Sequence, residues 1–117
     1  MKKKTLVLTA LAIGTLITVE QASAGPPSFN CGYAKLPAEV AICQSEDLGD
    51  LDRQMSGEYF QLINDHGIPY HGRKEIKREQ SRWLKSRNRC GNAFGCIRSK
   101  YYQRIDQLSY WRQQYSG

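Results

Sequence analysis

Apolar residues recur every three or four positions along much of the chain, as they do on one face of an α-helix. Ser45 is a predicted N-cap for the clearest of these runs, and Gly67 and Pro69 are expected to end it near His66. The apolar positions of this run are Leu48, Leu51, Met55, Tyr59 and Leu62. The spacing predicts a long amphipathic helix.

The same period predicts three further helices. Pro37 is placed to begin a short helix that runs to about Cys43. One longer stretch has Ile76, Gln80, Trp83, Leu84 and Arg87 on one side and ends at Cys90. The last stretch has Phe94, Ile97, Tyr101, Ile105 and Leu108. Since no segment alternates with period two over a useful length, the predicted fold is all-α. We expect a small bundle of one short and three longer helices, joined by the short loops that antiparallel neighbours need.

The first 24 residues have the pattern of a secretory signal peptide. Three lysines precede an apolar run of 14 residues from Leu6 to Val19, and Ala22-Ser23-Ala24 supplies the small residues of a cleavage site. The run is shorter than the roughly 20 residues that a membrane-spanning helix needs. We therefore predict a signal peptide over residues 1–24, a single mature domain over 25–117, a periplasmic or secreted location, and no membrane span after cleavage.

The cysteines are predicted to form disulfides, because export leads to an oxidising compartment. The four are Cys31, Cys43, Cys90 and Cys96. They allow three pairings, and the sequence does not choose among them. The pairing that closes two short loops is Cys31 with Cys43 and Cys90 with Cys96, and we favour it. A zinc site would need a C-x-x-C motif or a nearby histidine pair, and the sequence has neither. No metal or cofactor is predicted.

Polar residues interrupt the apolar faces of the predicted helices. They are Asp52, Gln80, Arg87 and Arg104. A charge near a small core must be paired, or it costs several kcal/mol. We expect an internal ion pair of Asp52 with Arg87 or Arg104 that fixes how the helices dock.

These residues belong to a pattern that is shared with a known family. Its most specific segment is Gln80-x-x-Trp83-Leu84-x-x-Arg87-x-x-Cys90. Together with the four cysteines, the pattern resembles the LprI-type family of small exported bacterial proteins, over roughly residues 29–108. The motif residues, which we interpret as a scaffold, are Asp52, Tyr59, Gln80, Trp83, Arg87, Tyr101 and Arg104.

The family takes its name from a lysozyme inhibitor. The resemblance therefore implies a helical, disulfide-stapled envelope protein that binds and blocks lysozyme. It names no inhibitory site, and this chain lacks the lipid-attachment cysteine of the founding protein.

An enzyme is not predicted. His66 and His71 are the only histidines, and they flank a Pro/Gly loop beside Asp65. A metal or acid–base site could be built there, but such histidines are more often exposed turn residues. A nucleophile, a base and an orienting group cannot all be named.

Charge is strongly polarised along the predicted mature domain, whose net charge is +4. Residues 25–66 carry a net −5, and residues 67–117 carry a net +9. An inhibitor of the basic lysozymes would benefit from an acidic face, although a net +4 has the wrong sign for long-range steering. The loops best placed to enter a substrate cleft are residues 68–72 and 91–95. The candidate lysozyme-facing residues are Glu46, Asp47, Asp50, Glu58 and Asp65.

The basic segment predicts an alternative function. A cationic helix face outside the cytoplasm would bind lipopolysaccharide or other anionic envelope polymers through charge. The candidate residues for this function are Lys74, Arg78, Arg82, Lys85 and Arg89.

Overall fold

The computed structural model describes residues 25–116, so the predicted signal peptide over residues 1–24 lies outside the described residues. Within that range the chain is all-helical and contains no β-strand, which confirms the predicted fold class. A 3₁₀ turn at Cys31–Tyr33 precedes one short helix and three longer ones. The helices are α1 (Pro37–Gln44), α2 (Glu46–Ile63), α3 (Tyr70–Asn88) and α4 (Phe94–Tyr115).

The three longer helices run up, down and up. Short connections over residues 64–69 and 89–93 make α3 antiparallel to both of its neighbours. It follows that α2 and α4 lie parallel. Ion pairs between the two helices mark this alignment: Asp47 pairs with Arg98 at 3.1 Å near their starts, and Glu58 pairs with Arg112 near their ends.

The core lies between these helices and contains the periodic positions of each. Trp83 of α3 and Tyr101 of α4 meet edge to face at its centre, with their ring centroids 5.2 Å apart. Burying such side chains contributes about 1.5–3 kcal/mol each, and this burial is what holds short helices together. The buried apolar residues are Ala38, Ile42, Leu48, Leu51, Met55, Leu62, Ile68, Ile76, Trp83, Ile97, Tyr101 and Leu108.

None of the helices over residues 25–116 is long and apolar enough to span a membrane.

Local side-chain hydrogen bonds set the helix ends. The predicted N-cap of α2 is confirmed, because the Ser45 hydroxyl accepts the N–H of Leu48 at 3.1 Å. Helix α2 ends at Ile63 and not near His66. The reason is a side-chain turn, in which the Asp65 carboxylate accepts the N–H of Gly67 at 2.8 Å and competes with helical hydrogen bonds.

Helix α3 also ends slightly earlier than predicted, at Asn88 and not at Cys90. The chain then turns through Gly91, whose φ of +61° lies in the left-handed region that favours glycine.

At the start of α1, the Glu39 carboxylate accepts the N–H groups of Lys35 and Leu36. These two hydrogen bonds hold the pKa of Glu39 below its ordinary value of 4.5.

Both disulfides have the favoured pairing. The Cys31–Cys43 bridge joins the 3₁₀ turn to α1, and the Cys90–Cys96 bridge spans the turn between α3 and α4. Both bridges therefore constrain loops outside the three-helix core. They restrain the N-terminal segment and the α3–α4 turn.

Candidate functional site

A buried polar network connects the three longer helices. Asp52 of α2 is 1% exposed, and its Oδ1 accepts the Tyr101 hydroxyl of α4 at 2.7 Å. The same oxygen lies 3.8 Å from Nη1 of Arg87 on α3, which also donates to the Tyr101 hydroxyl at 3.1 Å. Of the two predicted partners of Asp52, the structure therefore selects Arg87. The other carboxylate oxygen accepts the backbone N–H of Ser28 at 2.6 Å.

Burial affects the tyrosine of this network in particular. It raises the pKa of Tyr101 far above the ordinary 10.0 of a tyrosine, so the phenol keeps the proton that it donates to Asp52. The Arg87 guanidinium also lies 5.7 Å from the ring centroid of Trp83 and 6.0 Å from that of Phe29. The charged groups are thus enclosed by aromatic rings and by each other.

A second arginine is held in a separate cluster. Nε of Arg104 donates to Oε1 of Gln80 at 2.9 Å, and its Nη1 lies 3.5 Å from Oε1 of Glu79. The Gln80 amide in turn donates to the Met55 sulfur at 3.3 Å. Burial lowers the pKa of Arg104, and the neighbouring Glu79 carboxylate opposes that shift. Arg104 therefore joins α3 to α4 and is not the partner of Asp52.

The remaining motif residues support the same interpretation. Trp83 Nε1 donates to the carbonyl oxygen of Lys100 at 3.0 Å. Tyr59 is partly buried in the core cluster, and desolvation raises the pKa of its phenol. Six of the seven motif residues thus join helices through hydrogen bonds or the ion pair, and Tyr59 packs beside them. Their arrangement is that of a scaffold.

The two histidines lie at the surface, outside the buried polar network. His66 and His71 are both exposed. Over residues 25–116, no group of three or more His, Cys, Asp or Glu side chains is placed to hold a metal ion.

The five predicted lysozyme-facing acids do not form one continuous unpaired surface. Glu46 begins the 18-residue α2, which is about 27 Å long at a rise of 1.5 Å per residue, and Asp65 lies two residues beyond its other end. The other three candidates are in ion pairs, Asp47 with Arg98, Asp50 with Arg53 and Glu58 with Arg112. The arginines of α4 therefore neutralise much of the acidic side of α2.

The two predicted cleft-entering loops also differ. In the first loop, Ile68 is 1% exposed and belongs to the core, whereas Tyr70, where α3 begins, is 62% exposed. In the second, Asn92 and Ala93 are exposed, and Phe94 is 46% exposed. Only the second loop presents an apolar side chain on a turn that a disulfide braces.

Phe94 lies on one side of a groove at the disulfide end of the bundle, which we call the stapled end. The groove has a volume of about 500 Å³ and runs between α1 and the Cys90–Cys96 loop. Pro37, Val40 and Ala41 form the α1 side, and Asn92 lies beside Phe94 on the other. Ser45, the residue before exposed Glu46, also borders the groove. The stapled end is thus apolar at its centre and polar at its rim.

The five predicted cations lie along one face of α3, with Arg89 directly after its last residue, and we call them the basic stripe. Lys74, Arg78, Arg82, Lys85 and Arg89 are all exposed and are spaced by three or four residues. The stripe extends over about 22 Å at the helical rise of 1.5 Å per residue. Arg78 and Arg82 share the Glu75 carboxylate, whereas the other three have no ion pair within the described part of the chain.

A second cationic feature lies next to the stripe, in a groove between α3 and α4 that we call the α3–α4 groove. It has a volume of about 450 Å³, and its lining includes Arg82 from α3, Arg89 at the end of that helix and Lys100 from α4. Buried Arg104 lies at its base. The sequence prediction missed Lys100, and the available signal was its place next to Tyr101, on the edge of the α4 core face.

Comparisons with known proteins give no match to this chain among protein-family models, curated proteins or solved structures. The class that the fold and site define is a small all-α domain with two disulfides and a buried polar network.

Proposed function

We propose that this chain is an exported bacterial envelope protein that binds and inhibits lysozyme, with no catalytic activity of its own. The observation that carries the proposal is that the residues of the LprI-like motif contact one another in the fold. Residues from Asp52 to Arg104, far apart in sequence, interlock as the scaffold of one domain. In this chain the residues of the pattern dock the three longer helices, which supports the proposal that the pattern encodes a scaffold.

We place the lysozyme contact at the stapled end. Protein interfaces combine an apolar centre with a polar rim, and aromatic side chains are often their energetic anchors. Phe94 has this character, and the Cys90–Cys96 bridge restrains its loop before binding. A restrained loop loses less conformational entropy on binding. Glu46 is exposed and follows Ser45 of the rim, and its negative charge suits a basic partner, although the charged residue that lines the groove itself is Lys35.

Replacing Phe94 with alanine should weaken lysozyme inhibition by about 30-fold, the effect of losing an interface anchor worth about 2 kcal/mol. The measurement is the lysis of bacterial cell walls by lysozymes of several classes, at low and moderate salt, with increasing amounts of the purified exported protein. The matched control is Phe60→Ala, since Phe60 is also a half-exposed phenylalanine but lies near the far end of α2. We expect the control to inhibit like the wild type.

Two results would contradict this proposal. Failure to inhibit any lysozyme at any salt concentration would overturn the function itself. An equal loss of inhibition in the Phe94 and Phe60 variants would overturn the stapled end as the contact surface.

A second candidate function is the binding of anionic envelope polymers, and the basic stripe favours it. Exposed cations along about 22 Å of one helix face make a surface that attracts polyanions without sequence-specific contacts. Ion pairs with α4 reduce the acidic surface of α2, whereas Lys74, Lys85 and Arg89 have no such partner within residues 25–116.

Binding to vesicles that contain lipopolysaccharide should weaken steeply as salt rises, since each neutralised phosphate releases counterions. In the Lys74→Gln/Lys85→Gln variant, the logarithm of the binding constant should fall less steeply with the logarithm of salt concentration. Vesicle sedimentation across a salt series measures both slopes. Binding that does not depend on salt, or a variant with the wild-type slope, would refute the role of the stripe.

A further inference from the structure

We infer that the α3–α4 groove is a specific site for a phosphorylated ligand that carries two or more negative charges in a small volume, such as a pyrophosphate or a bisphosphorylated headgroup. This inference rests on the polyanion candidate and deepens it, because it separates a defined site from the exposed stripe.

Cations converge on the groove from two helices. Arg82 and Arg89 lie on the α3 side and Lys100 on the α4 side. Within the described residues Arg89 and Lys100 have no ion pair, and Arg82 has only a 3.5 Å contact with Glu75. A compact anion in the groove would therefore find charges whose local pairing is weak or absent.

The base of the groove is a buried charge. Arg104 is 1% exposed, and the groove reaches its side chain between α3 and α4. A charge in a poorly solvated position is screened less than one on a helix surface. Arg104 thus adds a weakly screened charge to the groove, which the Glu79 carboxylate at 3.5 Å partly offsets.

One carboxylate also faces the groove and must be taken into account. Oε1 of Glu79 accepts Trp111 Nε1 at 2.9 Å and lies 3.5 Å from Nη1 of Arg104. Glu79 is therefore already engaged by two donors. With four cations and this one carboxylate, the groove lining carries a net +3.

The polar lining also suits phosphate chemistry. Arginine guanidinium groups bind phosphate oxygens through paired hydrogen bonds, and lysine adds a compact charge. Ser86, Gln103 and Gln107 line the same groove and offer uncharged polar groups. A ligand with several phosphate oxygens in a small space can use these groups together, whereas a single monovalent anion cannot.

Tryptophan fluorescence provides a reporter inside the groove. Trp83 lines the groove, and its Nε1 is fixed to the carbonyl oxygen of Lys100. Trp111 is hydrogen-bonded to Glu79, which lines the same groove. These are the two tryptophans of the chain, so a bound anion should change the emission of both.

The test is a titration of the purified exported protein with sodium pyrophosphate at constant ionic strength, followed by calorimetry and tryptophan fluorescence. The groove variant is Arg89→Gln/Lys100→Gln, which keeps the backbone carbonyl that Trp83 uses. The control is Lys74→Gln/Lys85→Gln, which removes the same charge from stripe positions outside the groove lining. We expect pyrophosphate affinity to fall about tenfold or more in the groove variant, through lost charge-assisted hydrogen bonds, and less than about twofold in the control.

Different results would contradict the groove site and the broader polyanion function. Equal losses of affinity in both variants, or no pyrophosphate binding while vesicles still bind, would overturn the site and leave the stripe as the polyanion surface. Absence of binding to both probes would overturn the site and the polyanion candidate together.

Competition distinguishes the sources of the phosphate group. One result would support the site with a lipid headgroup as ligand. In it, the protein binds vesicles that contain a bisphosphorylated glycolipid, pyrophosphate displaces it from them, and dephosphorylation of the lipid abolishes binding. Pyrophosphate binding without vesicle binding would support it with a free anion as ligand. Vesicle binding that survives dephosphorylation and is not displaced by pyrophosphate would count against the groove.

Discussion

Replacing Asp52 with alanine is expected to lower the free energy of unfolding by about 3–5 kcal/mol, the usual cost of removing one partner from a buried ion pair. Arg87 would remain buried without its counter-charge, and the Tyr101 hydroxyl would lose its acceptor. For a domain of this size, such a loss lowers Tm by at least about 12 °C. Thermal and urea unfolding followed by circular dichroism measure the change.

Two further variants test the cause of this loss. Asp50→Ala removes an exposed ion pair with Arg53 and should cost less than about 1 kcal/mol. Adding Arg87→Met to Asp52→Ala removes the unpaired buried charge and should recover part of the lost stability. Unchanged stability of Asp52→Ala combined with lost ligand binding would contradict the scaffold interpretation and make Asp52 a contact residue.

Removal of the Cys31–Cys43 bridge by two serine substitutions should cost about 3 kcal/mol, by the loop-entropy relation for its separation of 12 residues. The Cys90–Cys96 bridge closes a separation of 6 residues and should contribute about 2 kcal/mol. Together these are a large share of the 5–15 kcal/mol that stabilises a typical domain. Urea unfolding of both serine pairs, after mass spectrometry of a non-reduced digest has checked the pairing, measures the two effects.

The Cys31–Cys43 bridge should also affect the buried network. It anchors the segment that contains Ser28, which donates both its N–H and its hydroxyl to Asp52. We therefore expect its removal and Asp52→Ala to be less than additive, since both variants abolish the same contact. A larger loss from the Cys90–Cys96 serine pair than from the Cys31–Cys43 pair would contradict the loop-length account.

Ion pairing between parallel helices changes how the charge of this protein should be interpreted. Along the sequence, a −5 segment precedes a +9 segment. In the structure, Asp47 and Glu58 of α2 meet arginines of α4. On the exposed face of α3, Arg78 and Arg82 pair with Glu75 of the same helix, whereas Lys74, Lys85 and Arg89 have no ion pair within residues 25–116. The balance of accessible charge therefore favours the basic side.

Much of the fold could be predicted because its signals are local. Pro37 begins α1, and Ser45 caps α2 through a hydrogen bond to a residue three positions away. The helix ends were predicted less well. Asp65 and Gly91 form turns that replace further turns of helix. Whether such a turn forms depends on the exact path of the backbone.

The candidate sites were less predictable for the same physical reason. That Asp52 needs a buried partner follows from the cost of burying a charge. Which arginine it contacts depends on how α3 and α4 pack against α2. Lys100 is an ordinary lysine in the sequence, and it lines a cationic groove only because α4 packs antiparallel to α3.

The sequence by itself determined the helical class, the helix count, the need for a buried ion pair and the cations on one face of α3. All of these follow from periodicity, capping and the cost of burying charge, which act within a few residues or within one side chain. Only the tertiary structure decided that Asp52 pairs with Arg87, that α2 acids are neutralised by α4, and that Phe94 and Lys100 border grooves. Those outcomes depend on contacts between helices, whose relative rotation is set by the packing of the whole core.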